Sequence, residues 1–393
     1  MKTVLCAAFF LLLAALPVRA EERVAAGQYL TILGDCAACH TPPGGAPFSG
    51  GRRIPTPFGW VIAPNLTPDR ETGLGAWSAA AFDGALRFGR RPDGSFLYPA
   101  HPFPYFARLS AEDSAAIRAF LATLPPVHQP ARGADLSFPF DLRFLLVFWD
   151  ALYAKPAPPL PDPSHDALWN RGAFIVTGPG HCGACHTPKT ALGGDIAARA
   201  LNGGVVAGWV APALDGDRRT GLGAWREDEI AHFLATGAAH GALASGPMAE
   251  VVTLSGARMT AADRAAIAHY LKSLPPPPPS QAAAPPPQAA MAAGEGLYRL
   301  RCAPCHGRDG EGTTGLFPRL AGSALVQASN PATILRVILN GARAAATDAA
   351  PTGAAMPGFA GALDRAEIAA IASYIRNAWG NAAPAVAAGD VTP

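Results

Sequence analysis

Three times along the chain, two cysteines stand three positions apart with a histidine directly after the second: Cys36-Ala-Ala-Cys39-His40, Cys182-Gly-Ala-Cys185-His186 and Cys302-Ala-Pro-Cys305-His306. The remaining cysteine, Cys6, lies in an N-terminal apolar stretch that reads as an export signal, so every cysteine of the expected mature chain belongs to the pattern. Two thiols at this spacing share one turn and can both add to the vinyl groups of one porphyrin, while the adjacent histidine reaches the iron as its proximal ligand. Disulfides, structural zinc and a thioredoxin-like redox pair are the bland readings. Zinc needs four ligands closed around one ion, and an exported redox pair has no use for a following histidine. Three copies therefore specify three covalently bound haem c groups, with His40, His186 and His306 as proximal ligands.

Residues 1–20 form the signal: Lys2 supplies the positive start, Leu5 to Leu16 the apolar stretch and Val18-Arg19-Ala20 the cleavage site, which puts the mature N-terminus at Glu21. Cys6 sits at the front of the apolar stretch rather than at its end, so a lipid-modified cysteine is not expected. No later window approaches the roughly twenty apolar residues that span a bilayer; Leu142 to Tyr153 is short and interrupted by Asp150. The expected location is the periplasm. A net charge of +2 with 15% charged residues gives no basic field for nucleic acid. The 42 glycines and 40 prolines favour short helices joined by long loops over an extended sheet, so the expected class is all-α.

Each motif follows a short helical segment with a glycine and an aromatic: Gly27 and Tyr29, Gly172 and Phe174, Gly294 and Tyr298. Each is followed far downstream by a second helix with its own start signal, Ser110-Ala-Glu-Asp113, Thr260-Ala-Ala-Asp263 and Asp364-Arg-Ala-Glu367. Helical spacing places Phe120, Tyr270 and Tyr374 at matching points, where they are expected to pack on the glycine of the first helix. Between motif and last helix stands a P-x-L element, Pro64-Asn-Leu66, Pro212-Ala-Leu214 and Pro318-Arg-Leu320. The first two units also share the string TGLGAW, at Thr72 to Trp77 and Thr220 to Trp225, as an internal duplication would leave it. The expected organisation is three tandem domains at 21–125, 166–275 and 292–382, with an apolar linker over 126–165, a Pro/Ala linker over 276–291 and a tail over 383–393. Prolines 275–279 and 285–287 make the second linker a stiff spacer on which the third domain swings as a unit. The apolar segment Phe138 to Tyr153 is expected to pack between domains, with a partner-binding face as the lesser reading.

An electron-transfer haem takes a second axial ligand, usually a methionine sulfur or another histidine. In the third domain Met356, eight positions before the helix cap, is the choice, and Met291 packs. In the second, Met248 and Met259 compete. Met259 directly precedes the cap Thr260, where Leu109 and Leu363 stand in the other units, and reads as core, which leaves Met248. No methionine lies between Lys2 and Pro247, and His101, nine positions before Ser110, is close to the offset of Met356. His101 is therefore the expected sixth ligand of the first haem, giving it a lower potential than a methionine ligand would.

These residues resemble a known family, the three-haem cytochrome c subunits of periplasmic, membrane-associated bacterial dehydrogenases that oxidise alcohols, gluconate or aldehydes. The resemblance covers essentially the whole mature chain. It rests on GDCAACHTP from Gly34, APNLTPDRETGLGAW from Ala63, WNRGAFIVTGPGHCGACHTP from Trp169, GPMAEVV from Gly246, and MPGF and SYIRNAWGN towards the end. It implies a helical cytochrome c fold in each domain and a catalytic subunit holding a quinone, flavin or molybdenum cofactor as electron donor. Quinone or a terminal oxidase is the implied acceptor. It also implies that the Pro64, Pro212 and Pro318 carbonyls accept the Nδ1 proton of the proximal histidines. Relatives commonly carry methionine in Tyr-Pro-Ala-x-Pro, where His101 stands here. The chain ends soon after Trp379-Gly-Asn381, so membrane association is expected to run through the partner. The competing classes are a free-standing carrier and an enzyme, such as a peroxidase with an open iron at the first haem.

Overall fold

The computed structural model describes residues 19–130, 133–155, 160–278 and 284–392. The expected leader, but for Arg19 and Ala20, and the middle of the proline spacer lie outside the described residues. The chain divides into two compact units, Met1–Pro158 with Thr177–His181, and Pro159–Val176 with Cys182–Pro393.

The helix pairs expected around each motif are present: residues 19–33 with Ala111–Leu121, Ala167–Thr177 with Ala261–Lys272, and Gln288–Arg301 with Arg365–Ile375. Glycine sets how closely each pair approaches. A Cβ on Gly27 would stand 1.9 Å from the Ala116 carbonyl oxygen, on Gly172 2.0 Å from that of Ala266, and on Gly294 2.2 Å from that of Ala370. Each of these carbonyls lies four residues before Phe120, Tyr270 and Tyr374, so the three pairs cross in one register. The aromatic side chain itself meets the glycine at Tyr270 and Tyr374, whose Cβ atoms would be 2.7 Å away, while Phe120 turns to Phe48, ring centroids 6.1 Å apart.

The start signals act as capping chemistry dictates. Ser110 with Asp113 and Asp364 with Glu367 form reciprocal capping boxes. Thr260 accepts from the Asp263 amide, but the Asp263 carboxylate turns instead to the Arg171 guanidinium at 2.7 and 2.8 Å, tying the second pair together beside Gly172. The all-α expectation meets several short hairpins. Arg53–Thr56 pairs antiparallel with Gly59–Ile62, which also carries Asp135–Leu136, and Gly204–Val206 pairs with Trp209–Ala211. Both hairpins lead directly into a P-x-L element. The duplication extends to side chains, since Asp69 and Asp217 each accept from the amide and hydroxyl of the threonine that opens TGLGAW.

In the N-terminal unit, Arg143–Leu145 and Leu146–Tyr153 form a short 3-10 turn and helix within the apolar segment. One face lies on the unit, and Phe138, Phe144 and Phe148 are 79%, 68% and 64% exposed.

In the C-terminal unit the third repeat does not swing on its spacer. The Arg319 amide donates to Gly241 O at 2.8 Å and the Ala345 amide to Ala244 O at 2.9 Å, with a β-bridge between Ser245 and Ala344 beside them. Val210 N donates to Thr333 Oγ1 at 2.7 Å, Arg219 donates to Gln327 and to the Ala382 carbonyl, and the Arg336 guanidinium lies 5.2 Å over the Trp209 ring. Ala244, Val252 and Ala345 close a small apolar cluster across this contact. Main-chain hydrogen bonds buried with apolar contacts make a fixed joint, and the spacer does not make the third repeat independent of the second.

The expected tail also packs. Ala383, Val386 and Val391 are buried, and Arg376, fully buried, donates to Pro384 O at 3.1 Å, Val326 O at 3.0 Å and Ser329 O at 3.2 Å. Burial draws its pKa down to about 10, so it remains charged at neutral pH. Arg376→Ala strands three carbonyls and is expected to cost on the order of 3–5 kcal/mol in urea unfolding, with Arg376→Lys recovering only part because one ammonium cannot serve three diverging acceptors.

Candidate functional site

Each C-x-x-C-H motif forms one short helical turn: Cys36–His40, Gly183–His186 after Cys182, and Ala303–His306 after Cys302. The turn brings the histidine round to face the P-x-L element. His40 Nδ1 lies 2.8 Å from the Pro64 carbonyl oxygen, His186 Nδ1 2.7 Å from that of Pro212 and His306 Nδ1 3.0 Å from that of Pro318. A carbonyl can only accept, so Nδ1 carries the proton in each ring and Nε2 keeps its lone pair for a metal. Burial lowers the pKa of all three, partly offset by the proline contact, which holds them as neutral imidazoles able to ligate. The hairpins deliver Pro64 and Pro212; at the third site a single bridge between Thr313 and Phe317 does so for Pro318.

The thiols are tuned against the bland readings. Burial, aided by Asp35 and by Cys39, pushes Cys36 up to about 12; burial and Cys185 do the same to Cys182, and burial and Cys305 raise Cys302 to about 11. Redox pairs and zinc-thiolate sites depend on the reverse shift. Cys36, Cys182, Cys302 and Cys305 form no disulfide, and among the described residues no group of three or more His, Cys, Asp or Glu is placed to hold a metal ion. Two cysteines on one turn, the first with its pKa raised by burial, beside a histidine with Nε2 free of the proline contact fit covalent haem attachment.

Two bracing residues carry little signal in the sequence. Arg52 donates to the Ala38 carbonyl inside the first motif, and Lys189 donates to that of Gly183 inside the second at 3.1 Å while pairing with Asp195. A cation twelve residues past the first motif and another three past the second are the only marks of them.

The expected sixth ligands fall in different settings. His101, just before the short helix Phe103–Phe106, has Nε2 3.2 Å from the Leu86 carbonyl oxygen and its ring 5.3 Å from that of Phe106. Its pKa is pulled down to about 4, first by burial and then by its electrostatic coupling to His40. Met356, on the strand Ala355–Met356, packs on the same core as Cys302, Ala303 and Trp379. Met248, in the first turn of Pro247–Leu254, packs on the cluster of Ala244, Val252 and Ala345. Met259 is 8% exposed before its cap, and Met291 packs on the third core.

Comparison with known proteins agrees with this geometry. The cytochrome c family model matches residues 171–275 and 291–379. The cytochrome c subunit of a quinone-type alcohol dehydrogenase from Gluconacetobacter polyoxogenes is 41% identical, over 98% of this chain and 88% of the relative. The chain belongs to the family of dehydrogenase cytochrome c subunits. Similar members of the family include the gluconate 2-dehydrogenase cytochrome c subunit of Pantoea cypripedii, 37% identical over 94% of this chain and 89% of the relative. The fructose dehydrogenase cytochrome subunit of Gluconobacter japonicus is 33% identical over 93% and 81%. Membership carries covalently bound haem c with it. Among the described residues of this cytochrome c subunit no helix is long and apolar enough to cross a membrane.

Proposed function

We propose that this chain is a three-haem electron-transfer subunit, with three cytochrome c domains bounded as the repeats are, working in the periplasm. It accepts electrons from a dehydrogenase catalytic subunit and passes them to quinone or a terminal oxidase. The observation that carries the reading is the threefold contact of a motif histidine with a proline carbonyl, each on its own C-x-x-C-H turn. Haem c bound there supplies a one-electron iron couple. The chain's part is to fix each proximal ring, through Pro64, Pro212 and Pro318, and to supply the sixth ligand from His101, Met248 or Met356. The family names alcohol, gluconate and fructose dehydrogenases, and the donor is proposed to be a catalytic subunit of that kind.

The electrostatic coupling of His101 to His40 favours a bis-histidine first site over the peroxidase reading, and it requires His101 Nε2 to turn from the Leu86 carbonyl to the iron. Spectropotentiometric titration of His101→Met beside the wild type tests this. One of three potentials is expected to rise, on the order of 0.1 V within the ~0.8 V range over which axial ligands act, and the other two to stay. An unchanged lowest potential removes His101 as ligand. Ready carbon monoxide binding by the reduced wild type at one haem would favour the enzyme instead.

A further inference from the structure

Parts of two repeats place Met248. It stands in the first turn of the helix Pro247–Leu254, which opens at Gly246 with φ 56°. A Cβ on Gly246 would lie 2.6 Å from the Trp209 ring, so only glycine lets the helix start this close to the second hairpin. The Arg336 guanidinium of the third repeat covers the same ring. Just before the helix, the chain is zipped to the third repeat: Ser245 bridges Ala344, and the Ala345 amide donates to the Ala244 carbonyl at 2.9 Å. Ala345 is 7% exposed and completes, with Ala244 and Val252, the apolar cluster on which Met248 packs. There is no slack at this point, since a Cβ on Gly237 would fall 2.8 Å from that of Ala345 and 3.4 Å from that of Ala244. The strand that brings Ala345 also meets the ligand segment of its own repeat. The Ala344 amide donates to the Ala354 carbonyl at 2.8 Å, and Ala342 pairs with Met356.

We propose that Ala345, a residue of the third repeat, is a positioning residue for Met248, the sixth ligand of the second haem. The inference rests on the reading of Met248 as that ligand. A methionine side chain is unbranched and turns about three bonds, so it takes the shape of the gap it is given. The surface it packs on therefore decides where the sulfur points. For Met248 that surface is the cluster of Ala244, Val252 and Ala345, and its third member is carried in from the neighbouring repeat, held in register by the two main-chain contacts. A methionine sulfur on the iron raises a haem's potential, and groups that orient a metal ligand tune the metal through it. The second site is thus complete only when the third repeat is docked. One short strand, residues 342–345, serves the sixth ligands of two haems, Met356 beside Ala342 and Met248 beyond Ala345.

Each methionine-bound ferric haem gives a weak far-red absorption, so the oxidised, haem-loaded chain carries one contribution from Met248 and one from Met356. Met248→Ala is expected to bring this absorption down to about half. Ala345→Leu, which drives a branched side chain against Gly237, is expected to do the same and to lower one of the three potentials, with the haem content unchanged. Combining the two is expected to lose no more than Met248→Ala alone, because both act through one ligand. Ala346→Leu, at the exposed neighbouring position, is expected to match the wild type. Ala345→Gly creates no overlap and is expected to lower the same potential by less, which keeps the test open where the leucine variant does not fold. Full absorption in Met248→Ala removes Met248 as ligand and the inference with it. Half absorption in Met248→Ala, beside wild-type absorption and potentials in whichever Ala345 variant folds, overturns the positioning role alone. A further loss in the double variant puts the effect elsewhere than at Met248 and overturns it too.

Discussion

Replacing Cys302 and Cys305 together by alanine is expected to lower the haem content of the purified chain from three to two, and the same step is expected at Cys36 with Cys39 or at Cys182 with Cys185. The effect is large because each motif is a closed attachment set. Its two thiols share one turn, and its histidine is oriented by a proline carbonyl within 2.7–3.0 Å, so no neighbouring motif can substitute for it. Haem counted per chain after acid denaturation and solvent extraction gives the readout, since only thioether-bound porphyrin stays with the polypeptide. A wild-type count below three, or a variant that loses more than one haem while its helical content is intact, would contradict the one-motif, one-haem assignment.

Gly294→Val is expected to destabilise the C-terminal unit by about 3 kcal/mol or more, as a lowered urea midpoint followed by circular dichroism. The new Cβ would fall 2.2 Å from the Ala370 carbonyl oxygen and 2.7 Å from Tyr374 Cβ, and neither can step aside without parting the helices Gln288–Arg301 and Arg365–Ile375. Parting them opens the cluster in which Tyr298 lies 5.0 Å from Trp379 and 5.5 Å from Tyr374. Gly296, two residues along the same helix, is the control: nothing lies within 4 Å of its would-be Cβ, so Gly296→Ala is expected to stabilise by about 0.5–1 kcal/mol through helix propensity.

The parts of this molecule that are legible in the sequence are those where one residue type has one physical use. The glycines that meet a carbonyl, the acid three residues after a cap, the proline two before a leucine and the cysteine pairs each point to their place. The resemblance of the segments Gly34 to Pro42 and Ala63 to Trp77 to known relatives supplies the histidine–proline pairing, which the structure shows at all three motifs. The hidden parts are built from groups that carry no sequence signal. The joint between the second and third repeats uses backbone amides and carbonyls of Gly241, Ala244, Arg319 and Ala345 in stretches of alanine and glycine that fit many conformations. The packed tail offers only Ala383, Val386 and Val391, too few for a period. The segment Phe138 to Tyr153 is visible as apolar, but a pattern of apolar spacing fixes which residues share a face and not whether that face looks inward. The capping signal at Thr260 likewise cannot reveal that Asp263 answers Arg171, because a carboxylate at that position serves a helix start or an ion pair equally well.

The clasp between Gly241–Ser245 and Arg319–Ala345 changes what the proline-rich connector is for. A connector between bodies already locked together bears no load once they have met. Its contribution belongs to biogenesis: it keeps the last-made portion of the polypeptide at high local concentration beside the surface it must close over, turning a bimolecular encounter into an intramolecular one.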